Sequence, residues 1–268
     1  MLLAATAGCG STPSTSAPAG TASAVEVPSL RSYWSLRRLD LADPLGPHPR
    51  AAGRAAKAAI RVGALFSTSS QGAHFCTASS VQNPSRDLII TAAHCVYSDG
   101  QLRSNIAFVP GYRRGQTPYG VWLPRAFIVD DRWEGSSDPA LDVAFIVLQP
   151  QGGKHVADVL GANTISFDTG YSQQVRVTGY PQTADAPITC VNTTTKQSPT
   201  QLKFPCAGFA GGTSGSPWIV RPSSRSLTGT IIGVIGGYQQ GGDTSDISYS
   251  PYFGSDIRQL YEKALAAI

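Results

Sequence analysis

The chain is expected to fold as an all-β barrel or sandwich closed by a single C-terminal α-helix. Three observations predict this. Its apolar residues come in short runs rich in Val and Ile, separated by Gly, Pro, Asn or Asp. Charged residues make up only 14% of the chain, against about a quarter in an average domain, while there are 28 Gly and 19 Pro, a mix that favours turns and strands over long solvated helices. Helical spacing is clear only at the end, where Ile257, Leu260, Tyr261 and Leu265 fall on one face behind Ser255 as a cap and Asp256 at the positive N-terminus.

The runs of strand length are Val62–Phe66, Leu88–Thr91, Ile106–Val109, Val121–Val129, Val143–Leu148, Gln174–Thr178, Pro217–Val220 and Gly229–Ile235. Hydrophobic residues are 41% of the chain, enough for a real core. The net charge of +4 comes from scattered Lys and Arg rather than a dense stripe, which argues against a nucleic-acid partner. No apolar run approaches the roughly 20 residues of a membrane helix.

Composition divides the chain. Met1 to Gly8 are small and apolar without positive charge, so residues 1–9 read as a partial signal that lacks its basic front. Ala7-Gly8-Cys9 resembles the end of a bacterial lipoprotein signal, although Thr6 stands where Leu is usual. Cys9 is therefore a lipidation candidate, which would tether the protein to the outer face of the cytoplasmic membrane; the alternative is a leader with an incidental cysteine. Residues 10–24 are Ser, Thr, Ala, Pro and Gly, a disordered linker. Residues 25–59 are a pro-segment or connector, or an ordered arm packed on the domain. Residues 60–268 form the folded unit.

Of the five cysteines none forms a CxxC pair, so no metal site is expected. Cys76, Cys95, Cys190 and Cys206 can pair as two bridges with Cys9 left over, which would place the protein outside the reducing cytosol; buried free thiols are the alternative.

The chemistry-bearing residues fall in three blocks. His94 follows the strand-like Leu88–Thr91, with Ala92 and Ala93 leaving room for its ring to face a cleft. Cys95 would anchor that loop, with Cys76 its natural partner on the preceding strand. His48 lies in a Pro-rich stretch, and His74 and His155 beside Gly-containing turns, where solvation is expected. Asp142 opens an apolar strand, where a carboxylate is costly unless it meets a partner such as His94; Asp138, before Pro139, reads as a turn residue. Ser214 sits in Gly211-Gly212-Thr213-Ser214-Gly215-Ser216-Pro217, whose glycines let the backbone bend sharply. The amides of Gly212 and Ser214 could then both face one oxyanion. A hydroxyl, an imidazole and a carboxylate are the groups that hydrolysis by a serine nucleophile requires.

The strings TAAHC, DVAFIVL and GGTSGSP resemble the three catalytic blocks of the chymotrypsin-like (trypsin-like) serine peptidases, in that family's order. The resemblance covers about residues 60–268. It implies two six-stranded antiparallel β-barrels with a C-terminal helix and the cleft between them, His94 as general base, Asp142 as its orienter and Ser214 as nucleophile. It implies a secreted endopeptidase acting on protein or peptide substrates as a monomer, with no cofactor. Bridges Cys76–Cys95 and Cys190–Cys206 are expected, the second just upstream of Ser214. Asn192-Thr193-Thr194 matches a glycosylation acceptor, a motif common by chance.

Where trypsin has an Asp before the nucleophile, this chain has Thr213, so activation by insertion of a new N-terminus is not expected, although Arg61-Val62-Gly63 looks like such a cut site. GGTSGSP and Gly179-Tyr180-Pro181 look closer to the bacterial glutamyl-endopeptidase branch, but no His follows His155, and the acid specificity of that branch is not expected here. The family's main pocket would fall at about Gly208–Gly211 and Ile235–Tyr238, with Gly208, Phe209, Gly236, Gly237 and Tyr238 as its expected lining. Trypsin's basic-residue-binding Asp maps near Gly208, so a neutral pocket is expected unless Asp243 or Asp246 reaches in.

Overall fold

The computed structural model describes residues 53–56, 59–68, 73–221 and 228–268. The leader-like segment with Cys9, the 10–24 linker, His48 and residues 25–52 of the connector lie outside the described residues. The described chain opens on β1 (Arg54–Ala55), which pairs with Thr189 and Ile188 far along the sequence.

The first barrel contains β2 (Val62–Phe66), β3 (His74–Ser80), β4 (Leu88–Thr91), a small hairpin of β5 (Tyr97–Ser98) and β6 (Gln101–Leu102), β7 (Ala107–Pro110), β8 (Pro124–Ile128) and β9 (Ala144–Leu148). Its main sheet runs β7-β2-β3-β4-β9-β8, all antiparallel. The two edges meet where Phe108 and Trp122 exchange backbone hydrogen bonds of 2.9 Å in both directions. That contact closes the curl and removes exposed edges.

The second barrel holds β10 (Thr164–Ile165), β11 (Gln174–Gly179), β12 (Ile188–Thr193), β13 (Thr195–Ser198), β14 (Gln201–Pro205), β15 (Pro217–Val220), β16 (Thr230–Val234) and β17 (Ile247–Pro251). It combines a six-stranded sheet, β1-β12-β11-β15-β16-β10, with a three-stranded sheet, β13-β14-β17. The Val234 N–H donates to Ser250 Oγ at 3.0 Å and the Gly236 N–H to Tyr249 O at 3.0 Å, linking the two sheets. One pairing departs from the all-antiparallel expectation: β10 runs parallel to β16. The chain crosses from the first barrel here, with Asn163 bridged in parallel to Val81, so it arrives alongside β16 rather than turning back on it.

Alternation along β4 and β9 explains why both read as unbroken apolar runs. Ile89 and Ile146 point into the first barrel with Leu65, Phe108 and Trp122. Leu88, Ile90, Phe145 and Val147 point the other way, onto Ile219, Ile231, Phe253 and the C-terminal helix. Both faces are buried, so neither strand carries a polar face. The strands without an apolar signature are the polar ones. β3 reads HFCTASS, yet Thr77, Ser79 and Ser80 are fully buried.

The C-terminal helix spans Ser255–Ala266 and buries Ile257, Leu260 and Ala264. Gly254, not Ser255, occupies the cap position, and Ala264 rather than Leu265 completes the buried stripe. The two short helices Asp131–Ser136 and Val156–Leu160 had no sequence signal long enough to be read.

His74 differs from expectation. It is not solvated but 3% exposed, ringed edge-on by Phe66 and Tyr112 of the first barrel and by Tyr180 of the second. Its Nε2 donates to Ala184 O at 2.9 Å. Burial lowers its pKa below the ordinary 6.5, against the opposing pull of the Ala184 carbonyl and Asp185. The unfolded chain therefore takes up a proton first as pH falls below about 6.5, and the fold loses stability until the buried ring is protonated too. Thermal melts between pH 7.5 and 5 should show that loss, and His74→Phe should reduce it. A variant with the same pH slope as the wild type would remove His74 from the explanation.

Candidate active site

β4 runs through Ala92 into a single 3₁₀ turn, Ala93–Cys95, that carries His94. A disulfide joins Cys95 to Cys76 on β3, so the turn is fixed at its far side. Cys76 Sγ, Cys95 Sγ and a ring nitrogen of His94 lie within 4.8 Å of one another. Both sulfurs are consumed by the disulfide, so the cluster offers no thiolate to a metal.

Asp142 follows another 3₁₀ turn, Pro139–Leu141, and precedes β9. The turn is capped by Asp138, which accepts the Ala140 N–H at 2.9 Å. Asp138 thus has the local role read from its place before a proline, and Asp142 is the carboxylate that meets the imidazole. His94 Nδ1 donates to Asp142 Oδ2 at 2.8 Å, and the His94 backbone N–H donates to Oδ1 at 2.9 Å. The Gly237 N–H donates to Oδ2 at 2.7 Å. Asp142 is wholly buried and the His94 side chain is 14% exposed. Burial pushes the carboxyl pKa up, but the neighbouring imidazole and these donors outweigh it and hold the group below its ordinary value. A carboxylate can only accept, so Nδ1 carries a proton, and in the neutral ring Nε2 is then the atom with the free lone pair.

Backbone supports of this kind leave no trace in a sequence pattern. The side chain of Gln201, 4% exposed, adds a support of a different kind. Its Nε2 donates to Pro139 O at 2.9 Å and its Oε1 accepts the Tyr238 N–H at 3.0 Å. It ties the turn before Asp142 to the turn that supplies the Gly237 donor.

Ser214 stands in a turn whose carbonyls are all taken. Gly211 O accepts the Gln182 N–H at 2.7 Å, Thr213 O the Ser216 N–H at 3.0 Å, and Ser214 O the Thr77 N–H at 2.7 Å. Gly212 O accepts from Thr77 Oγ1 at 3.0 Å. In a trans peptide the C=O and N–H point opposite ways. Fixing Gly211 O and Thr213 O therefore aims the N–H groups of Gly212 and Ser214 away from those contacts. Neither N–H has a protein acceptor among the described residues. Gly212 has φ of +92°, and a Cβ there would stand 2.6 Å from the Gln182 nitrogen and the Tyr180 oxygen, so only glycine fits. Thr213 Oγ1 donates to Ala210 O at 2.7 Å, locking the turn internally. Arg61 and Val62 lie inside the hydrogen-bonded fold, with Arg61 O accepting the Ser80 N–H and the Val62 N–H donating to Ala59 O.

His94 and Ser214 open onto one cleft of about 400 Å³. No hydrogen bond joins Ser214 Oγ to the imidazole among the described residues. Of the segments expected to form the pocket, Phe209, Ala210, Gly211 and Ile235 line the cleft, and Gly208, Gly236, Gly237 and Tyr238 do not. Gly208 lies behind it, donating to Ser245 O at 2.8 Å. Gly236 and Gly237 back onto Asp142 instead. Tyr238 is 42% exposed and stacks edge-on against Tyr249, so it does not plug the cleft. The physical reason is the turn at 237–242, where Gly237, Gln239, Gln240, Gly241 and Gly242 all have positive φ. It swings residues 239–245 into the wall that Gly236–Tyr238 were expected to form. Asp243 is thereby brought to the rim, where it accepts from Gln239 Nε2, so the wall is not wholly neutral. Cys190–Cys206 bridges β12 to the end of β14, leading into Phe209.

A family model described as Trypsin matches residues 53–251. Among solved structures, the protease Anisep from Arthrobacter nicotinovorans is 28% identical, with a TM-score of 0.69 over 80% of this chain and 100% of that one. The thermostable serine protease AL20 from an extremophilic microorganism is 28% identical, with a TM-score of 0.68 over 78% and 99%. A Glu endopeptidase shares the fold at 16% identity, with a TM-score of 0.60 over 83% and 99%. No curated protein sequence gives a significant match.

A methyl group on Gly236 would stand 3.0 Å from Asp142 Oδ2 and 3.1 Å from its carbonyl oxygen. Gly236→Ala is expected to displace the carboxylate slightly and to cost about 1–2 kcal/mol by overpacking. The check is a lowered melting temperature together with a shifted NMR resonance for the His94 Nδ1 proton. An unchanged melting temperature and an unchanged resonance would show that the space is not tight.

Proposed function

The chain belongs to the trypsin family and is a serine-type peptidase, and from that premise we propose that it is a secreted endopeptidase with His94, Asp142 and Ser214 as its catalytic triad. The observation that carries this reading is the buried Asp142 carboxylate, bonded at 2.8 Å to an imidazole that shares a cleft with Ser214.

In this mechanism Nε2 of His94 removes the Ser214 proton as Oγ attacks the carbonyl carbon of the scissile bond. The imidazolium that forms is stabilised by Asp142, which stays ionised and keeps the ring in the correct tautomer. The N–H groups of Gly212 and Ser214 hold the oxyanion, a contribution of roughly 3–4 kcal/mol per donor in comparable sites. His94 then protonates the leaving amine, the acyl-enzyme remains on Ser214, and water repeats the sequence to release it. A resting gap between hydroxyl and imidazole is compatible with this course, because such contacts tighten when substrate binds.

Two disulfides support a location outside the reducing cytosol. A lipid tether at Cys9, upstream of the 10–24 linker, is part of the same reading. It is expected to give a mature protein heavier by its acyl chains and partitioning into detergent; a free Cys9 thiol would end it.

Ser214→Ala should lower peptide hydrolysis by about 10⁶-fold while leaving the thermal melt intact. A fluorophosphonate probe should label the wild type at Ser214 and not the variant. Folded wild-type protein that neither labels nor cleaves a peptide library would overturn the assignment.

A further inference from the structure

We infer that the hydroxyl of Thr77 is a positioning group for the oxyanion-binding turn, an inference that rests on the hydrolytic reading above. Thr77 lies on β3, next to Cys76, and is fully buried. Its Oγ1 accepts the Tyr180 N–H at 3.0 Å and lies 3.0 Å from Gly212 O. A hydroxyl has one proton. The amide can only donate and the carbonyl only accept, so the direction of the relay is settled: Tyr180 N–H to Oγ1, and O–H to Gly212 O.

The main chain of the same residue reaches two further parts of the site. Its N–H donates to Ser214 O at 2.7 Å, and its carbonyl accepts from Thr91 Oγ1 at 2.8 Å, three residues before His94. One buried residue of the first barrel therefore touches the Gly212 peptide, the Ser214 peptide and the strand that delivers the imidazole. Tyr180, at the other end of the relay, directly follows β11 of the second barrel and packs its ring among first-barrel residues.

The hydroxyl is the separable part. The main-chain bonds survive any side-chain change, and they do not touch Gly212. Gly212 carries an oxyanion N–H, has no side chain to anchor it and sits at φ +92°. Its carbonyl is held by Thr77 Oγ1 and by no other group among the described residues. The Gly212 N–H lies in the Gly211–Gly212 peptide, which the Gln182 N–H holds at Gly211 O, while the next peptide is held by the Thr77 hydroxyl at Gly212 O and by the Thr213 N–H on Ala210 O. Without the hydroxyl that second peptide loses one of its two restraints, and the Gly212 N–H loses part of what aims it toward the position where charge develops. Such a donor acts on the transition state more than on bound substrate, so its misplacement lowers kcat and leaves KM nearly unchanged.

The test compares Thr77→Val, which keeps the shape and removes the hydroxyl, with Thr77→Ser, which keeps the hydroxyl. Active sites are titrated with a fluorophosphonate so that only competent molecules are counted. Loss of a whole oxyanion donor costs 10²–10³-fold, so a loosened donor should lower kcat about tenfold or more. Thr77→Val should do this with KM within about twofold, and should bind a peptidyl boronate, whose tetrahedral adduct occupies the oxyanion position, more weakly by a similar factor. Thr77→Ser should restore both. Should Thr77→Val not fold, Thr77→Ala carries the same expectation. A hydroxyl-free variant with wild-type kcat overturns the inference, as does a Thr77→Ser variant no better than Val, which would mark the residue as packing alone. A wild type inert toward peptides and fluorophosphonate would refute the hydrolytic reading instead, so the two failures are distinguishable.

Discussion

Much of this molecule is arranged around a carboxylate that has been taken entirely out of water. An isolated ionised group in that position would cost many kcal/mol and would pick up a proton instead. Asp142 escapes this because three N–H donors converge on it, two from His94 and one from Gly237. The donors come from both barrels, so the charge is stable only when the barrels are docked. Several local features follow from that demand. Position 236 is tight for a side chain because Asp142 and Ala92 lie against it. Asp138 caps the turn that presents the carboxylate, and Gln201 spans from that turn to the one bearing Gly237.

The turn at Ser214 is built on a complementary plan. Its carbonyls are engaged and two of its N–H groups are left over. Rigidity there comes from main-chain and hydroxyl contacts rather than from bulky side chains, since glycines occupy so many of its positions. The surrounding strand β3 supplies those contacts, which accounts for small hydroxyl residues in a place where an apolar strand would pack more simply. A buried hydroxyl is stable only when bonded, and Thr77 is bonded on both sides.

How much of this was legible in the sequence depended on which atoms did the work. β4 and β9 stood out because both faces are apolar. His94, Asp142 and Ser214 stood out because a histidine, an acid and a serine each sit at the margin of such a run or of a glycine cluster. β3, β13 and β17 did not, because their alternation is between polar residues of different size and their burial depends on partners distant in the chain. The supports from Gly237 and Thr77 were illegible for a deeper reason: a main-chain N–H is the same at every residue. The misplaced pocket wall has the same origin. Gln239 and Gln240 adopt a left-handed conformation that nothing about glutamine announces, and two such residues in succession redirect the whole loop. His74 was misread because three of the groups enclosing it, Phe66, Tyr112 and Tyr180, come from separate strands or loops.

The Thr213 hydroxyl, bonded to Ala210 within its own turn, has a bearing on how such a protein would be governed. A peptidase that needs a distant, newly exposed terminus to complete its site has a dormant form and a moment of awakening. Here the Ser214 turn is held by Thr213 within it and by Thr77 and Gln182 beside it, and the residues of the Arg61–Val62 bond are hydrogen-bonded into the fold. Among the described residues no group is placed to act as a latch of that sort. A site assembled this way stands ready as soon as the chain has folded, so a molecule lying across the cleft is the direct means of restraining it.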